Sequence, residues 1–188
     1  MKLYYLPNIA YFQELISLEK VNFHLNEVYH RQTYRNRTEI VGANGKMVLS
    51  IPTQKLEKDQ RIYQNIRISY SEPWLKQHWK SLESAYRRSA YFEFYEDKLK
   101  LFYEKPTYEH LWEYNFGLTK FLMNALNIEK ETQIEEEVEH EDNYSNMLKI
   151  NKKYFQVFSN KMPFVENLSV LDLLFNMGPS AKIYLASK

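Results

Sequence analysis

The chain has 188 residues, 26% of them charged with a formal net charge of +1, and 16% aromatic, led by 16 Tyr and 11 Phe. That length fits one domain spanning residues 1–188, and the near-zero balance argues against a dedicated nucleic-acid binder. The absence of Cys rules out a disulfide framework, a thiolate nucleophile and a Cys-type zinc site.

The opening Met1-Lys2-Leu3-Tyr4-Tyr5-Leu6-Pro7 lacks a signal-peptide core, and no run approaches the ~18 apolar residues of a membrane span, so a cytoplasmic location is expected. Leu3–Leu6 suits a short strand. Asn8 is placed to cap a helix running to about Leu18, with Ile9, Phe12, Leu15 and Ile16 on one face. Val21–Val28 alternates as a half-buried strand does, which predicts a compact βαβ start with the Leu3–Leu6 and Val21–Val28 strands parallel. Thr38–Val41 and Lys46–Ile51 form a predicted hairpin across Gly42-Ala43-Asn44-Gly45, since Asn-Gly is a strong turn signal. A further strand is expected at Asn65–Ser69.

Three helices follow by periodicity: from Ser71-Glu72-Pro73 to about Ser89, over Tyr91–Tyr103, and over Tyr108–Leu126. Thr132–Val138 is a weakly marked strand, residues 143–166 are irregular, and Asn167–Asn176 is a short apolar helix stopped by Gly178-Pro179. The expected fold class is α/β, with a mixed, partly parallel sheet, packed helices and a β-hairpin. Residues 129–142 hold eight acids against Lys130 alone, a local net of −7 that leaves +8 on the remainder. Such a run is ordinarily a solvated face.

No Walker A loop, G-x-G-x-x-G, G-x-S-x-G or H-E-x-x-H occurs, and with four Gly in the chain a glycine-cradled phosphate loop is disfavoured. The acidic run with His140 lacks the glycine and ligand spacing of a calcium loop, so no metal site is expected. The densest polar cluster is His30-Arg31-Gln32-Thr33-Tyr34-Arg35-Asn36-Arg37. Guanidinium forks match carboxylate or phosphate bidentately, and Gln32 and Asn36 would orient such a group. If Asn36 begins the hairpin strand, Arg35 and Arg37 share a face and grip one anion together; otherwise the cluster is a solvated loop or pairs internally with glutamates. His78 lies one turn from Trp74 and Leu82, which places it near a buried face as a core residue or a proton carrier. Asn115 sits on an apolar stripe between Leu111 and Leu118 and must bond a loop or a ligand. Asp172 forms an S-x-x-D spacing with Ser169, a local cap.

Taken in order, these segments resemble the WbqC-like protein family. The resemblance is carried by Tyr5-Leu6-Pro7 with Tyr11-Phe12, by Gln32-Thr33-Tyr34-Arg35-Asn36-Arg37, and by Leu49-Ser50-Ile51-Pro52. It continues through Trp74-Leu75-Lys76-Gln77-His78-Trp79, Ala85-Tyr86 and Tyr91-Phe92-Glu93-Phe94-Tyr95. The stretch from Asn167 to Asn176 resembles the closing element of a short-form branch. Many members open with H-Q-P, where this chain has Met1, Lys2 and Leu3, so a mechanism needing that histidine does not carry over.

The resemblance implies a part in bacterial surface polysaccharide (O-antigen type) biosynthesis. The leading expectation is a transferase acting on a small anionic metabolite such as a nucleotide sugar. Gln32, Tyr34, Arg35, Asn36, Arg37 and Asn115 would bind it, the first helix N-terminus at Asn8 would meet its phosphates, and His78 would move a proton. Electrostatic clamping of this kind requires no cofactor. The alternative is a non-catalytic binding or scaffold protein of the same pathway, its aromatic surface serving a protein partner or a second copy of the chain.

Overall fold

Asn8 caps the first helix as its context predicts: its side-chain oxygen accepts from the Tyr11 amide at 3.0 Å, and α1 runs over Ile9–Ser17. The computed structural model describes residues 1–55, 61–135 and 152–187. In it α1 leads into β1 (Lys20–His24), followed by the hairpin β2 (Arg37–Gly42) and β3 (Gly45–Ser50), then α2 (Trp74–Tyr86), α3 (Phe92–Glu104) and α4 (Leu111–Ala125). After α4 come β4 (Glu131–Glu135), α5 (Val170–Met177) and α6 (Ala181–Ala186). No helix among the described residues is long and apolar enough to cross a membrane.

The architecture is α/β, but its strands pair in two separate units rather than one mixed sheet. The hairpin forms in the expected register, with Gly42 opposite Gly45 and Arg37 opposite Ser50. The predicted βαβ start does not form. β1 does have a parallel partner, but it is β4, with Lys20 opposite Glu131 and Phe23 opposite Ile134. Beside β1 the N-terminal segment places Met1, which bonds the backbone of Asn22 and His24. Beyond it the Tyr5 amide donates to the Tyr34 carbonyl at 2.9 Å, and Leu3, Tyr5 and Leu6 are fully buried. Those residues alternate well enough for a strand, yet the Tyr5 amide goes to a loop, a choice that alternation cannot report.

Residues 65–69 likewise form no strand. Tyr63–Asn65 is a 3-10 turn, and the chain beyond it makes isolated bridges from Ile68 to Thr53 and from Arg67 to His110. β1 ends at His24, short of the expected Val28, which is exposed. The strand after α4 is present as Glu131–Glu135, and the rest of the acidic run, including His140, lies outside the described residues. Sequence periodicity misses α6, whose six residues are too few to show it, although Ala181, Tyr184 and Leu185 are buried.

One aromatic core joins the helices. Trp74 packs edge-on to Tyr114 at 5.6 Å, and Phe92 packs edge-on to Phe175 at 5.2 Å. Gly178 ends α5 with φ at +53°, and a Cβ there would lie 2.5 Å from the Tyr91 ring. The position therefore needs glycine for conformation and for space. Gly178→Ala is expected to cost about 1–3 kcal/mol, read by urea unfolding. An unchanged midpoint would mean that the Tyr91 ring swings clear without penalty.

Candidate functional site

The Arg-rich segment does not act as one clamp. The chain turns at Gln32, whose φ is +64°, and Asn36 closes the turn by donating its amide to the Thr33 carbonyl at 3.1 Å. β2 begins only at Arg37, so the strand alternation that would place Arg35 and Arg37 on one face does not apply.

Arg35 points inward. Its side chain is 6% exposed and pairs with Glu27, and its guanidinium lies over the Tyr63 ring at 5.1 Å. Burial pushes its pKa down, opposed by the nearby Tyr63 and Tyr4 rings. The internal-carboxylate alternative is thus the one realised for Arg35. Asn115, fully buried, holds the same loop: its Nδ2 donates to the Arg35 carbonyl at 2.7 Å and to the Tyr63 hydroxyl at 2.8 Å. Of the two fates open to that amide, bonding a loop is the one observed. Tyr34 is half-buried, its ring 5.7 Å from Tyr4 and its carbonyl taken by Tyr5.

Arg37 faces elsewhere. Together with Arg31, Gln32 and Asn36 it lines a cleft of about 360 Å³ closed by the end of β3 (Ser50 to Thr53) and by Glu72, Trp74, Gln77 and His78. Among the described residues neither Arg31 nor Arg37 has a carboxylate partner, and the Arg37 Nε is buried without a bond. Glu72 is the one acid among the described residues that line this space. Asn36 is 8% exposed, and its Nδ2 donates to the Ile51 carbonyl at 3.1 Å. That bond fixes the amide with Oδ1 as its free end, and Oδ1 is a buried acceptor with no partner. A group that met it would have to donate a hydrogen.

His78 forms part of the cleft wall, 6% exposed. The ring donates to the Ser50 backbone, and Nδ1 lies 2.9 Å from the Tyr5 hydroxyl, itself 3.0 Å from the Tyr103 hydroxyl. Burial lowers its pKa to about 4, against a smaller opposing effect of the Ser50 bond. The imidazole is therefore neutral near pH 7 with both nitrogens committed, which suits a structural wall and not the proton carrier expected from sequence.

The N-terminus of α1 at Asn8 is engaged internally as well. The Ile9 amide donates to Leu168, Ala10 to the Asn167 side chain, Tyr11 to Asn8 Oδ1 and Phe12 to the Asn8 carbonyl. All four N-terminal amides of α1 are satisfied internally, which leaves no donors there for a phosphate.

Sequence reasoning passed over Ser50, Thr53, Glu72, Trp74 and Gln77 as site residues. They lie 13 or more positions from Arg37, and only the packing of α2 beside the hairpin end unites them. The S-x-x-D spacing predicts a cap from Ser169 and Asp172. Ser169 does cap α5, accepting from the Leu171 amide at 3.3 Å, but the Asp172 carboxylate turns into the core. There Tyr154 donates to it at 2.5 Å and Gln156 at 3.0 Å, with Tyr86 alongside, and burial raises its pKa to about 6. Among the described residues no group of three His, Cys, Asp or Glu is arranged to hold a metal ion.

Comparison with known proteins agrees with the motif order. The chain is 26% identical over 126 residues to a Mycobacterium tuberculosis protein named "Uncharacterized protein Rv1507c", an alignment covering 66% of this chain and 53% of that one. It thus spans about half the length of the curated relative it matches. No solved structure matches it significantly. The WbqC-like family pattern matches residues 3–155, which include β1, the Arg-rich turn, the hairpin and the whole Arg37 cleft, so the chain belongs to the WbqC-like protein family.

Proposed function

We propose that this chain binds a small anionic, hydroxyl-bearing metabolite in the Arg37 cleft, as a transferase acting on an activated, phosphate-bearing sugar or nucleotide in bacterial surface polysaccharide biosynthesis. The observation that carries the reading is a pair of guanidiniums, Arg31 and Arg37, without carboxylate partners among the described residues, beside a buried acceptor on Asn36 that lacks a donor. The cations suit a phosphate, and Asn36 Oδ1 suits a sugar hydroxyl. Gln32 and Gln77 would orient the ligand. Arg35 and Asn115 act one layer behind, by holding the turn that presents Asn36 and Arg37. With His78 neutral and engaged, Glu72 is the group among the described lining residues left to accept a proton.

The test is a thermal-shift screen of nucleotide sugars. A ligand at ~100 times its dissociation constant should stabilise the protein by ~2.7 kcal/mol. Arg37→Ala is expected to abolish that stabilisation while changing the unliganded protein by no more than about 0.5 kcal/mol. Full ligand response in Arg37→Ala would remove the cleft from consideration.

One observation favours the scaffold alternative. Phe94 and Leu101, seven residues apart on α3, are 76% and 63% exposed. An apolar pair on one helix face suits a protein partner. If Phe94→Ser abolishes capture of a pathway protein while Arg37→Ala has no effect on any measured activity, the scaffold reading stands in place of the enzyme.

A further inference from the structure

The Arg37 cleft does not end at Arg31. Arg31 and Thr53 line both it and a smaller recess of about 140 Å³, whose other walls are Tyr29, His30, Gln54, Arg61 and Ile66. The recess is built rather than incidental: Tyr29 is 4% exposed, and its amide donates to the Arg61 carbonyl at 2.7 Å. Arg61 is thereby pinned by its backbone to the recess wall, although its side chain reaches solvent. Neither His30 nor Arg61 has a carboxylate partner among the described residues.

We infer that the two recesses form one site for a ligand carrying two linked phosphates, a diphosphate ester, with Arg31 between them, Arg37 on one phosphate and Arg61 on the other. This deepens the reading of the Arg37 cleft and depends on it. The argument is charge matching. Among the described residues three guanidiniums line the joined space against one carboxylate, Glu72, which lines only the larger arm. A monophosphate held by Arg31 and Arg37 leaves Arg61 uncompensated. A diphosphate bears more charge, distributed over two adjacent centres, and can meet all three forks. Shape agrees: the larger arm lies in the size range of small-molecule pockets, whereas the smaller admits only a compact group. The rest of the ester, with its hydroxyls, would therefore occupy the larger arm, which Asn36 and Gln77 line.

The experiment is calorimetric titration of the full chain with inorganic phosphate, pyrophosphate, UMP and UDP. The wild type is expected to bind pyrophosphate and UDP at least ~10-fold more tightly than phosphate and UMP, a difference of ~1.4 kcal/mol. Arg61→Ala should erase that preference and leave monophosphate binding unchanged, whereas Arg37→Ala should weaken all four. Equal wild-type affinities for mono- and diphosphates, or an undiminished diphosphate preference in Arg61→Ala, would overturn the two-phosphate site while leaving the Arg37 cleft intact. Failure of every phosphate compound to bind would overturn both.

Discussion

Removing Glu27 by Glu27→Ala is expected to destabilise the protein by ~3–5 kcal/mol, the range for breaking a buried ion pair from one side. The change leaves the Arg35 guanidinium, 6% exposed, with the face of Tyr63 as its main compensation. An aromatic face supplies only ~2 kcal/mol to a desolvated cation, so it cannot replace the carboxylate. Arg35→Ala should fall at the lower end of the range, because the abandoned Glu27 retains Lys2 at 3.5 Å. Neither change touches the cleft, but both loosen the turn that Asn115 holds through the Arg35 carbonyl, so ligand binding should weaken as well. Replacing both partners, Glu27→Gln with Arg35→Met, should recover most of the lost stability, since no charge is then stranded. Urea unfolding of the three variants decides the matter. A loss below ~1 kcal/mol for Glu27→Ala would show that water already screens the pair.

The second large effect concerns pH and two buried groups of opposite habit. His78 is held neutral, with its pKa lowered from 6.5 to about 4. Between those values the unfolded chain takes up a proton that the folded one refuses, so the stability His78 contributes is complete above pH 6.5 and is lost as the pH falls toward 4. Asp172 is shifted the other way, from 3.8 to about 6. Here the folded state holds the extra proton, so its contribution is complete below pH 3.8 and is lost as the pH rises through about 6. Each shift corresponds to ~3 kcal/mol.

The two slopes run against each other over nearly the same window and should largely cancel in the wild type. Asp172→Asn keeps an acceptor for the Tyr154 hydroxyl and removes the titration. Relative to wild type, its stability should gain ~3 kcal/mol on going from pH 4 to 6.5. His78→Gln should show the opposite trend, losing ~3 kcal/mol relative to wild type from pH 4 to 6. The absolute cost of either replacement includes altered packing, so the difference in slope is the readout. Unfolding curves of all three proteins measured across pH 4–7 provide it. Parallel curves would mean that neither group titrates as its burial implies.

What the sequence determined by itself lies within short stretches of chain. Asn8 ahead of Ile9 and Phe12 announces a capped helix, Asn44-Gly45 announces a hairpin, and the spacing of Leu111, Leu118 and Leu122 announces α4, because caps, turns and helical faces are settled by atoms a few residues apart. The cluster from His30 to Arg37 was likewise visible as a place where charge needs a partner. Tertiary structure alone decided which partner each residue received. Val21 and Phe23 mark a strand, but nothing in them distinguishes Leu3–Leu6 from Glu131–Glu135 as the neighbour. Arg35 and Arg37 stand two positions apart with the same side chain. One is neutralised by Glu27 and buried over Tyr63, while the other opens into a cleft shared with Trp74 and Gln77. His78 is marked for burial by its helix face, yet its neutrality comes from the depth of that burial, against the opposing bond to Ser50, and its Nδ1 meets Tyr5, 73 positions away in the chain. The reason is physical: desolvation and ion pairing act through space over a few ångströms, and which groups come that close is decided only when the helices and the hairpin pack.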